Sequence, residues 1–131
     1  MAEVLGGNVV KIFPAHTIGL TASGTINEAR VVEADTIRDK VVKQAAANSS
    51  RVIGFVDTTW EHGDIATVYT CGVAYLSAAN AIDRGDKVGA AANGQIKPYV
   101  SGTVIGIALQ DISASDYGDV LTHFDLQGAT T

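Results

Sequence analysis

Apolar residues in this chain come in short runs, many of them β-branched, broken at close intervals by Gly, Asn, Asp and Ser. Residues 51–56 and 103–109 are the plainest cases. Each is too short for a stable isolated helix and rich in residues that suit a pleated, half-buried surface. Each carries a glycine at its third apolar place, Gly54 and Gly106. A glycine inside a strand marks a bulge, a bend or a close approach by another backbone. Asn93-Gly94, set between Asp86-Lys87-Val88 and Gln95-Ile96-Lys97, signals a hairpin. Gly63-Asp64 and Gly118-Asp119 read as turns, since Gly permits positive φ and Asp can bond nearby backbone. Residues 65–75 alternate imperfectly and read as a further strand. Residues 26–47 admit two readings, because Ala34, Ile37, Val41 and Ala45 also fit a helical stripe. Two strands, near 29–34 and 40–44, followed by a turn over 45–50, are preferred. The matching segment downstream contains Gly85, Gly89 and the Asn-Gly turn, which are poor inside a helix.

That downstream match is the most informative pattern. Asp39-Lys40-Val41, Ala45-Ala46-Ala47-Asn48, Val52-Ile53-Gly54-Phe55-Val56, Gly63-Asp64 and Val68 occur in one order. The same order returns as Asp86-Lys87-Val88, Ala90-Ala91-Ala92-Asn93, Val104-Ile105-Gly106-Ile107-Ala108, Gly118-Asp119 and Val120, and Ile37 and Ile82 occupy comparable places upstream. A repeat of roughly 50 residues present only twice predicts two similar β-subdomains sharing a core, not a solenoid. The fold class is therefore mainly β: a compact barrel- or sandwich-like domain built from two related β-rich halves. Residues 1–28 are an extended N-terminal arm or a first strand. Residues 29–126 are one domain, repeated at about 29–72 and 73–126, and residues 127–131 are a mobile tail with nothing to bury.

Composition narrows the function classes. The chain has 131 residues, 47% of them hydrophobic, enough for one core without staples. Charged residues make up 18%, against roughly 25% in ordinary soluble domains. Much of the surface is thus small and uncharged, which suits a packed partner. A net charge of −5 with nine scattered basic residues supplies no stripe for phosphate backbones, so direct nucleic-acid binding is not expected. No apolar run approaches the roughly 20 residues of a membrane span, and the first residues lack the regions of a signal peptide. Cys71 is the single cysteine, which rules out an intrachain disulfide.

Candidate chemistry is sparse. Glu61-His62-Gly63-Asp64 brings two carboxylates and an imidazole together, and a metal or acid–base site would need them to converge. A polar loop between strands is the stronger reading. His16 and His123 are isolated, and Ser23, Ser77, Ser101 and Ser113 lack a nucleophile-elbow context. Cys71 reads as a small core residue. Gly6-Gly7 has no phosphate-loop continuation. Trp60, the sole tryptophan, could anchor an interface, stack on a sugar or cap the end of a barrel. No catalytic, cofactor or metal residues are assigned.

The run Gly72-Val73-Ala74, 81–88 with Gly85-Asp86-Lys87-Val88, Asn93-Gly94-Gln95-Ile96 and Val104-Ile105-Gly106-Ile107-Ala108-Leu109 resembles the capsid decoration, or cement, proteins of tailed bacteriophages. The likeness covers about residues 50–125. It implies a non-enzymatic virion protein, commonly a homotrimer, placed on the outer capsid at local three-fold positions and stabilising the shell against internal pressure. The implied partners are the major capsid protein and other copies of itself, with no cofactor, nucleic acid or membrane. It also implies an N-terminal arm that adds to the capsid by strand pairing. Val9, Val10, Ile12 and Phe13 are the candidate contact residues, as an extended apolar segment can pair with a sheet edge. Trp60 is the candidate interface aromatic. The competing readings are a carbohydrate- or receptor-binding β-module, resting on Trp60 and the acidic loop, and a small metal enzyme using Glu61, His62 and Asp64.

Overall fold

The computed structural model describes residues 16–124. In chain order its strands are β1 (Thr17–Ala22), β2 (Arg30–Ala34), β3 (Val41–Gln44), β4 (Val52–Val56), β5 (Ile65–Tyr69), β6 (Gly72–Ser77), β7 (Lys87–Ala90), β8 (Ile96–Pro98), β9 (Gly106–Ala108) and β10 (Tyr117–Thr122). The only helical turn among the described residues is a 3-10 turn at Ala92–Gly94. Strands β1 to β5 close into a barrel in the order β1-β3-β2-β4-β5. β1 completes it, antiparallel to β5 and parallel to β3. The other five strands form a second sheet in the order β6-β10-β9-β7-β8. A single parallel bridge between Ala78 and Ile96 draws its two edges together.

The halves share one strand plan, register included. Val32 faces Gly54 in the barrel, and Val88 faces Gly106 in the second sheet. Thr21 faces Ile65, and Ser77 faces Tyr117. The parallel contact of Ala22 with Val42 returns as Ala78 with Ile96. The antiparallel bridge of Ile26 with Trp60 returns as Ile82 with Ile112. The glycine shared by the two runs explains part of this plan. A Cβ on Gly54 would collide with the Tyr69 carbonyl oxygen, and one on Gly106 with that of Leu121. At both places a neighbouring strand crosses too closely for any side chain, the close-approach reading of a strand glycine.

This geometry revises part of the sequence alignment. The Val-Ile-Gly runs and the pair Val68 and Val120 are equivalent positions, but Asp39-Lys40-Val41 and Asp86-Lys87-Val88 are not. Val41 opens β3, whereas Val88 lies in β7 and corresponds to Val32 of β2. The two Ala-Ala-Ala-Asn blocks are not equivalent either; they meet at the seam between the halves. The Asn48 N–H donates to the Ala90 carbonyl at 2.9 Å, and the Gly94 N–H donates to the Ala45 carbonyl at 2.8 Å. Gly118-Asp119 is no turn. It lies inside β10, and the turn falls earlier, with Ser115 at φ 68°.

Other expectations hold. Residues 26–47 form β2 and β3, and the stripe residues part company: Ala45 is buried while Ile37 is 87% exposed in the connecting turn. Asn93-Gly94 joins β7 to β8, with Asn93 at φ 59° and Gly94 at φ 75°. Residues 65–75 depart from the single strand expected: they split into β5 and β6, which belong to different sheets and are parted by Thr70 and Cys71.

Two apolar clusters follow. Leu20, Ala22, Ile26, Val32, Val42, Val56, Ala66 and Val68 fill the barrel. The larger cluster joins the inner face of the second sheet to Val31, Ala45, Val52 and Phe55 on the outside of the barrel, so the halves share a core.

Candidate functional site

Glu61-His62-Gly63-Asp64 forms a tight turn that leads into β5. Asp64 Oδ2 accepts the Glu61 N–H at 2.9 Å, and the Asp64 N–H donates to the Glu61 carbonyl at 3.0 Å. Glu61 Oε1 accepts the Thr25 hydroxyl at 3.1 Å, and His62 Nδ1 accepts the Gly24 N–H at 2.8 Å. Their acceptor atoms are thus turned to separate partners. The same device recurs before β7, where Asp86 Oδ2 accepts the Asp83 N–H at 3.2 Å. Before β10 the Asp116 N–H donates to the Ser113 carbonyl at 3.0 Å. A motif used at the start of three strands is turn chemistry. Among the described residues no three His, Cys, Asp or Glu side chains are placed to hold a metal ion.

Trp60 sits at an end of the barrel. Its backbone bridges Ile26, and its half-buried ring packs on the barrel cluster. The indole Nε1–H is buried without a hydrogen-bond partner among the described residues. His16 lends its carbonyl to the Thr70 N–H at 2.8 Å, and the His123 N–H donates to the Ile105 carbonyl at 2.7 Å; both side chains are exposed. Cys71 is half-buried. Val9, Val10, Ile12 and Phe13 lie outside the described residues.

One buried charge braces the barrel. Glu33, on β2, accepts the Ala46 N–H at 3.0 Å and pairs with Arg51 at 3.1 Å and Lys43 at 3.8 Å. Burial works to raise its carboxyl pKa, but the Ala46 N–H, the Ser49 hydroxyl and the two cations together hold it below the usual carboxylate range. The group ties β2 and β3 to the residue 45–51 connection at the seam, a structural duty.

The surface that sequence reasoning missed is the outer face of the second sheet. Val73 faces Leu121, Leu121 faces Ile107, and Ile107 faces Lys87, forming one row across four strands. In the next row Tyr75 faces Asp119, whose carbonyl accepts the Leu109 N–H at 3.0 Å. Tyr75 is 62% exposed and stacks on Tyr117, with ring centroids 5.6 Å apart. Burial among these groups raises the Asp119 carboxyl pKa, and no cation pairs with it among the described residues. The signal for this face was the alternation of Tyr117, Asp119 and Leu121. Reading Gly118-Asp119 as a turn concealed it.

The fold, the turn motifs and the apolar outer face describe a scaffold that presents surfaces. The model of a family of phage cement proteins matches residues 12–122. The chain belongs to the phage cement protein family. The match extends the resemblance of residues 50–125 back through the whole barrel. Among solved structures, the chain is similar to the N base of the head fibre of bacteriophage phi29. The two are 17% identical with a TM-score of 0.67, over 84% of this chain and 95% of that one. At that identity the likeness is one of fold. Comparison with curated proteins finds no match. Family and fold together make this cement protein a structural component of a virion.

Proposed function

We propose that the chain decorates the outer surface of a phage capsid and stabilises the shell, acting as a homotrimer at local three-fold sites. The family match over residues 12–122 is the observation that carries this reading. The fold supports it: the polar groups of the residue 61–64 turn are committed to hydrogen bonds within the fold, and an apolar sheet face is exposed. In this reading the protein has no catalytic role and no cofactor. Its partners are the major capsid protein and its own copies, with neither nucleic acid nor membrane engaged. It is made in the host cytoplasm and resides on the virion. Residues 29–126 act as one domain together with β1, and Val9, Val10, Ile12 and Phe13 belong to the segment that adds to a sheet edge of the capsid protein. Attachment through three copies multiplies weak contacts, so each needs little affinity.

The test is to add purified protein to expanded, undecorated capsids and image them. Density at the three-fold sites, with capsids that survive higher temperature, is the expected result. Capsids that retain no protein would overturn the reading. The carbohydrate- or receptor-binding alternative has no observation of its own, since the Trp60 ring packs on the barrel core.

A further inference from the structure

The shared strand plan allows the outer faces of the two halves to be compared place by place. In the barrel, one outer row runs Thr17, Tyr69, Phe55, Val31. Its counterpart in the second sheet runs Val73, Leu121, Ile107, Lys87. The barrel's row is an interface. Val31 is fully buried, Phe55 is 6% exposed, and Tyr69 packs on the cluster shared with the second half. Phe55 stacks on Tyr69 and also on Phe124, which follows β10. The counterpart row has no such cover: Ile107 is 40% exposed and Leu121 49%. Tyr75 and Leu109 extend it to an apolar face across β6, β10 and β9, exposed on the same side. Single exposed apolar side chains need no explanation, but a contiguous face with a polar rim marks a contact surface.

We propose that the outer face of β6, β10 and β9 is where a second copy of this chain docks. The proposal rests on the self-association named above and assigns it a surface. Two observations select a second copy as the occupant. The equivalent row of the barrel is buried against the other half of the chain, so this place in the strand plan already serves as a contact between two units of the same plan. The face also carries complementary charges of its own: Lys87 ends one row, and Asp119 lies within the next. Neither has an ion-pair partner among the described residues. A neighbouring copy that sets its Lys87 against Asp119 pairs both charges while covering Val73, Ile107 and Leu121. Opposed charges of this kind fix register and partner choice more than they add affinity.

The experiment is sedimentation of the full chain without capsids, comparing wild type with Leu121→Arg, Asp119→Lys, and Asp119→Lys combined with Lys87→Glu. Circular dichroism checks that each variant keeps its fold. The wild type is expected to form the trimer proposed above. Leu121→Arg and Asp119→Lys should each weaken association by about tenfold or more, as for a central contact residue, and the double charge exchange should restore it. A wild-type chain that stays monomeric, or folded variants that associate as wild type does, would overturn the proposal. Separate capsid binding keeps the two claims apart. Capsid binding by a monomer sinks this face and leaves decoration standing; association through this face without capsid binding does the reverse.

Discussion

The barrel and the second sheet follow the same strand order and register, yet they treat the same outer row in opposite ways. In the barrel, Val31, Phe55 and Tyr69 turn outward into a core that the second half completes. In the second sheet, Lys87, Ile107 and Leu121 occupy those places and face out. Closure differs too. β1 pairs with β3 through two residue pairs, whereas Ala78 and Ile96 make one bridge. Near that bridge the Ser77 N–H donates instead to the Ala29 carbonyl of the barrel at 3.0 Å. A duplicated fold thus need not duplicate its contacts. The barrel gave an outer face to the seam, whereas the second sheet gave a closing contact to it and kept its outer face open.

The largest test of this contrast exchanges the same place in both halves. Phe55→Ala should cost about 3–5 kcal/mol, since it empties a site between the halves. Ile107→Ala, measured in dilute solution, should cost less than about 1 kcal/mol, as exposed positions do. Denaturant unfolding decides it, and equal losses would mean that the two rows are not differently covered. The shared glycines predict the opposite symmetry. Gly54→Ala and Gly106→Ala should both destabilise, each by about 1–3 kcal/mol, because each new methyl meets backbone of a crossing strand that cannot move aside. If only one of them costs stability, the register shared by the halves breaks down there.

How much of this was legible in the sequence follows from which residues do the same job twice. The Val-Ile-Gly runs aligned correctly because the crossing strand imposes a glycine in both halves. The Gly-Asp and Asp-Lys pairs misled. The turns before β3, β5 and β7 each use an aspartate to hold backbone, so such pairs mark a turn and not a place in the fold. Thus Lys40, at φ 58°, ends a turn, while Lys87 lies in a strand. The two Ala-Ala-Ala-Asn blocks look alike yet hold different places in the plan, and they meet across the seam. The outer face was harder still. Phe55 and Ile107 are both apolar at the same position, and only the docking of one half on the other decides which is covered.

Glu33 gives the next prediction, on the barrel side of the seam. Its depressed pKa means that the unfolded chain takes up a proton more readily than the folded one. Its stabilising contribution is therefore complete above the unfolded carboxyl value and lost as pH falls through the lower, folded one. Glu33→Gln should cost roughly 1–3 kcal/mol at neutral pH, leaving Arg51 and the Ala46 N–H without their charged acceptor. The penalty should shrink on acidification below about pH 4, where wild type loses the same charge. A penalty independent of pH would mean that Glu33 acts by packing alone.

Asp119 should behave in the opposite sense, with the smallest effect. Burial raises its pKa and no cation among the described residues offsets the cost, so the folded chain holds this proton more tightly than the unfolded one. The group favours the folded state in acid. That advantage disappears as pH rises through the ordinary aspartate value towards the raised one, and at neutral pH the bare carboxylate remains an uncompensated charge. Asp119→Asn should therefore stabilise the dilute monomer at neutral pH by up to about 0.5 kcal/mol, and the gain should vanish in acid. The same substitution should weaken association, because Lys87 of a neighbouring copy loses its counter-charge. Opposite signs for folding and association would show that this carboxylate costs the single chain stability and contributes only once a second chain covers it. A variant that lost stability along with association would instead make Asp119 part of its own sheet's packing.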